Sequence, residues 1–87
     1  MRSKASTDFW RCLERLPTRV QELARQKYAL WRRFPRHPSL HFKELRPGLW
    51  SLRISRGYRA LAWREDQEYL WFWIGTHAEY DRIIREA

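Results

Sequence analysis

The chain has 87 residues, enough for one small domain, and its six Trp, four Tyr and four Phe must supply much of the core. A single cysteine, Cys12, excludes an internal disulfide and fits a reducing compartment. No run approaches the ~20 apolar residues of a membrane span, and "MRSKASTDFW" lacks the apolar stretch of a secretion signal, so a cytoplasmic location is expected. The net charge of +8 is uneven: residues 1–41 carry ten Lys/Arg against three acids (+7), residues 42–87 eight against seven (+1). A basic half fits a polyanion partner, nucleic acid before membrane; an arginine-rich composition would also produce it.

In chain order, Thr7 or Asp8 is placed to cap a short first helix with Phe9, Leu13 and Leu16 on one face. Pro17 suits the first position of a second helix. There Val20, Leu23, Ala24, Tyr28, Trp31 and Phe34 recur at helical spacing, while Arg19, Glu22, Arg25, Arg32 and Arg33 point outward. Two prolines in "FPRHPSL" end it.

From residue 42 the period becomes two. "FKEL" reads as a strand, "RPG" as a turn, and "LWSLRIS", "YRALAWR" and "EYLWFWIG" as three strands of an antiparallel meander. The last is apolar on both faces and should be covered on both sides. Thr76-His77-Ala78-Glu79 matches a capping box that opens a final helix with Tyr80, Ile83, Ile84 and Ala87 on its stripe. The fold expected is α+β, in the order α-α-β-β-β-β-α, with helices on a small antiparallel sheet.

The chemistry turns on two arginines. A two-residue loop after "LWSLRIS" would place Arg53 and Arg59 on opposite faces. A three-residue loop, Ser55-Arg56-Gly57 with Gly57 left-handed in a G1 bulge, sets them opposite each other, and that loop is the expectation. Such a pair calls for an anion between them, either Glu65, Glu68 or a phosphate. His77 at a helix start sits where unpaired N–H groups attract anions and disfavour imidazolium, which suits a neutral base. Tyr80 shares its face, although its ring belongs to the apolar stripe. His37 and His41 lie in an irregular proline-bound loop and do not make a metal site. No glycine-rich phosphate loop, nucleophile elbow or paired carboxylates occur, which leaves Arg, Lys, His and Tyr for any catalysis.

The stretches "HPSLHFKEL", "LWSLRI", "GYRALAW" and "WFWIGTHAEYDRII" resemble the RelE/ParE family of toxins from type II toxin–antitoxin systems. The likeness is strongest to the branch sharing L-H-F-K-x-L, W-S-x-R, Y-R-A-L and W-I-G-x-H-x-E-Y patterns. It runs from about Phe9 to Ile84. It implies one domain over residues 1–87, a helical hairpin on a twisted antiparallel sheet with a C-terminal helix.

The RelE side of the family implies an endoribonuclease without metal or cofactor that cuts mRNA in the ribosome, the 2′-hydroxyl attacking the adjacent phosphate. Carried over, Arg53 belongs to the W-S-x-R motif, Arg59 to the Y-R motif, and His77 and Tyr80 to the C-terminal stretch that completes the site. Lys43, with Arg32, Arg33 and Arg46, is the candidate for holding RNA. Two departures stand out: family chains open with a strand that "RSKAS" does not show clearly, and Ser51 replaces a lysine of some relatives. The ParE side poisons DNA gyrase instead, and a basic RNA-binding protein without toxicity is a third possibility. The expected partners are mRNA, the ribosome and a cognate antitoxin, with no membrane. The antitoxin segment should be acidic and amphipathic and should cover the basic surface of residues 19–46.

Overall fold

Period-two alternation becomes β structure where the sequence shows it. The computed structural model describes residues 2–86, with strands β1 (Arg2–Ala5), β2 (Lys43–Arg46), β3 (Leu49–Ser55), β4 (Tyr58–Glu65) and β5 (Glu68–Thr76). Helices α1 (Thr7–Glu14), α2 (Thr18–Arg33) and α3 (His77–Glu86) complete the order, with a short 3₁₀ turn at Pro38–Leu40. Ala87, expected on the α3 stripe, lies outside the described residues. The five strands form one sheet in the order β1-β5-β4-β3-β2. The architecture is α+β.

Strand β1 is the element the sequence hides. Its four residues alternate only between exposed and half-buried, so no apolar pattern marks it. Tertiary pairing makes it: Arg2 to Ala5 run parallel to Glu68 to Trp71, and Lys4 meets Glu68 at 3.3 Å. The sheet is therefore mixed, not purely antiparallel. Ser6 then ends β1 and caps α1, its hydroxyl accepting from Phe9 N–H at 3.2 Å, in place of Thr7 or Asp8. Pro17 stands one residue ahead of α2 as its N-cap.

Helix α2 buries Val20, Ala24 and Trp31. Phe34, expected on the same stripe, is exposed because the helix ends at Arg33 and Phe34 takes a non-helical conformation (φ −138°, ψ 74°). Tyr28 is also exposed, and Leu40, from the proline-bound loop, fills the core instead. Trp31 is fully buried, with the rings of Phe42, Tyr69 and Trp71 at 5.0–5.5 Å and steeply inclined. These join Leu52, Ile54, Ala60 and Ala62 in the larger core, beneath α1 and α2.

The opposite face carries a second core of Leu49, Leu61 and Tyr80, with Leu45, Phe72, Trp73, Ile83 and Ile84 against it. Strand β5 is thus covered on both sides, as its two apolar faces require. Between the helical hairpin and the sheet a cavity of about 300 Å³ remains, walled by Trp10 and Tyr28 over Leu52, Ile54 and Ile74, with Lys4 and Arg25 at its margin. Among the described residues no helix is long and apolar enough to cross a membrane.

Candidate active site on the α3 face

Cross-strand pairing fixes which side chains share a face. Arg53 pairs with Arg59, and Arg59 pairs with Gly75, so one row runs Arg53–Arg59–Gly75. The adjacent row is Lys43–Ser51–Leu61–Trp73. Leu61 and Trp73 lie in the core under α3, so all of these residues present to α3 and not to the hairpin.

The turn that creates the row differs from the one expected. Ser55 pairs with Tyr58 across a two-residue Arg56-Gly57 turn, and Ile54 is the extra residue of a bulge. Gly57 is not left-handed; Gly48 is the described glycine with positive φ. The opposition of Arg53 and Arg59 is therefore produced by a bulge inside β3. Arg59 Nη1 donates to the carbonyls of Ser55 (2.5 Å) and Tyr58 (3.0 Å), which ties its guanidinium to the turn.

Partial burial lowers the pKa of Arg59, and Arg53 lowers it further, while Tyr80 and Asp81 act in the opposite direction. Glu65 and Glu68, suggested as the anion between the arginines, pair with each other's positions at the far end of β4 and β5. No carboxylate among the described residues makes an ion pair with Arg53 or Arg59. The site holds two close cations with little local compensation, an arrangement that favours an incoming anion.

Helix α3 begins on this face. Its capping box is complete: Thr76 N–H donates to Glu79 Oε1 at 2.9 Å, and Glu79 N–H donates to Thr76 Oγ1 at 3.2 Å. The bond from Thr76 holds the Glu79 carboxyl below its usual range. His77 N–H donates to the Gly57 carbonyl at 2.8 Å, which joins the helix start to the β3–β4 turn. The His77 ring stands edge-on to Tyr80 at 5.6 Å, and its Nδ1 lies 3.0 Å from Asp81 Oδ2. The imidazole is thus partnered by a carboxylate, where the sequence suggested only the helix end.

Tyr80 is buried by its ring and feels Arg59 through its hydroxyl end. Gly75 admits no side chain: a Cβ there would lie 2.5 Å from Trp73 Cζ2 and 2.9 Å from Glu79 Oε1. Neither Asp81 nor Gly75 was singled out by sequence. The (i, i+4) spacing from His77 was the available signal for Asp81.

The RNA-holding candidates scatter. Lys43 is exposed at the edge of the same face. Arg46 donates from Nη2 to the Ile84 carbonyl at 2.7 Å, closing the last turn of α3. Arg32 and Arg33 stand on α2, against Tyr28 and Phe34, on the other side of the sheet. No group of three or more His, Cys, Asp or Glu is placed to hold a metal among the described residues, and His37 Nδ1 accepts from Ser39 N–H.

Comparison with solved structures finds this architecture in microbial toxins. The RelBE2 toxin–antitoxin complex of Mycobacterium tuberculosis matches with a TM-score of 0.65 and 24% identity, over 87% of this chain and 96% of that one. A YoeB/ParE toxin from Agrobacterium tumefaciens gives 0.67 and 20%, over 88% and 99%. The RelB–RelE complex of Methanococcus jannaschii gives 0.70 and 11%, over 90% and 95%. At such identities the likeness is one of fold. A search of curated protein sequences finds no significant match. A sequence model described as the ParE-like toxin domain matches residues 18–82, a span from the start of α2 through the arginine row into α3, and the chain accordingly belongs to the ParE-like toxin domain family.

Proposed function

We propose that this protein is the toxin of a toxin–antitoxin system and acts as an endoribonuclease on mRNA at the ribosome. The observation that supports this reading is the row of Arg53 and Arg59, lying on the face where α3 brings Tyr80 and Asp81 near Arg59 and holds His77 against both. During 2′-hydroxyl attack, negative charge grows on the phosphoryl oxygens. Two guanidiniums held on one face by their strands, that of Arg59 also tied to the turn, stabilise that charge, by about 3 kcal/mol per donor in comparable sites. His77 is the imidazole of the site and serves as its proton-transfer group, and Lys43 adds charge along the strand of RNA.

The antitoxin partner takes the other side of the sheet. The groove walled by Trp10 and Tyr28 is apolar, and exposed Lys4 and Arg25 border it. An acidic segment with one apolar face complements both features.

The test measures mRNA cleavage on ribosomes and, in parallel, supercoiling by DNA gyrase. Arg53→Ala is the informative variant, since among the described residues the Arg53 side chain makes no hydrogen bond, whereas that of Arg59 holds the turn. Cleavage should fall by roughly a hundredfold. Undiminished cleavage by Arg53→Ala would remove the arginine pair from the site, and gyrase inhibition by a parent that cuts no mRNA would replace the nuclease reading with the gyrase one.

A further inference from the structure

Asp81 acts on Arg59 and is the carboxylate neighbour of His77. Its Oδ2 lies 3.0 Å from His77 Nδ1, one helical turn away. The two side chains are 48% and 44% exposed, so the pair adds little to stability. What the contact does determine is the ring. A neutral imidazole whose Nδ1 faces a carboxylate carries its proton there, and Nε2 becomes the nitrogen with a free lone pair. The edge-on contact with Tyr80 restrains the ring plane as well.

We propose that Asp81 is a positioning residue, whose carboxylate accepts from His77 Nδ1–H and turns Nε2 into the proton acceptor of the site. This rests on the nuclease reading above. In the step it serves, Nε2 takes the proton of the 2′-hydroxyl as the bond from the 2′-oxygen to phosphorus forms. The bond from phosphorus to the 5′-oxygen breaks, water protonates the departing oxygen, and the hydroxide so formed takes the proton back from imidazolium.

Imidazole ¹⁵N NMR on the full folded chain tests the pair directly. Neutral His77 should be protonated on Nδ1 in the parent, and in Asp81→Ala it should revert to the tautomer mixture of a free imidazole. Asp81→Glu should recover part of the effect. For cleavage, Asp81→Ala should lower kcat by roughly tenfold or more with KM for RNA unchanged. The same tautomer in parent and Asp81→Ala would overturn the proposal, whatever the cleavage assay gives. A parent that shows the fixed tautomer and cuts no RNA would overturn the nuclease reading instead, and with it the catalytic use of the pair.

Discussion

Arg53 and Arg59 stand directly opposite each other on neighbouring strands, and the residue responsible is Ile54, which occupies the bulge between Arg53 and Ser55. Without that extra residue, continuing the Ser55–Tyr58 register would shift the pairing by one and send the two guanidiniums to opposite faces. A buried aliphatic side chain on the hairpin side thus sets the electrostatics of the α3 side.

Two cation clusters on opposite faces should respond differently to salt. Removing one phosphate-binding cation lowers the slope of log affinity against log salt by about 0.7 for single-stranded RNA. Arg53→Ala should show that change in filter binding or anisotropy titrations. Arg32→Ala/Arg33→Ala should leave the slope alone, since both residues stand on α2 behind the sheet. A reduced slope in the α2 variant would place RNA on the hairpin.

Gly75 is required by its neighbours. The Trp73 ring and the Glu79 carboxylate occupy the space a methyl group would need. Gly75→Ala should destabilise the fold by about 1–3 kcal/mol in urea titrations. Combined with Trp73→Leu, which clears the space, the two costs should be less than additive. Full additivity would mean that the ring is not what excludes the methyl.

These two sites show what the sequence made legible. The capping box at Thr76 and the three strands from Leu49 onward follow from local patterns. The bulge at Ile54, the strand Arg2–Ala5 and the burial of Leu40 do not, because each is decided by pairing or packing with residues distant in the chain. Gly57 illustrates the hazard: it signalled a left-handed bulge, and the correct facing arose from a different irregularity three residues earlier. Asp81 was visible in principle, at helical spacing from His77, but its meaning depends on which face α3 covers.

Stability should follow the protonation of Glu79. Its folded pKa is depressed by the Thr76 N–H, so its contribution is full above the ordinary carboxylate range and is lost as pH falls through the folded value. Thr76→Ala should cost about 1 kcal/mol at pH 7. The stability difference between parent and Glu79→Ala, measured by denaturation at several pH values, should be present at neutral pH and shrink on acidification. A difference independent of pH would assign the effect to helix propensity.

Trp10 should matter to the partner and not to the fold. It is 51% exposed at the wall of the apolar groove. Trp10→Ser should weaken antitoxin binding by at least about tenfold, as removal of a central aromatic anchor does, with an unchanged melting curve. Unaltered affinity in calorimetry would move the antitoxin to another surface.

The pairing of Arg2 with Glu68, and of Ala5 with Trp71, has a consequence for synthesis. Strand β1 is made before β2, β3 and β4 yet finds its partner after them, because β5 must be made before the parallel ladder can close. His77 and α3 follow directly after β5. The hairpin that pairs the two arginines can therefore form before the site is finished, and the sheet edge and the proton-transfer helix are completed together, after β5 is made.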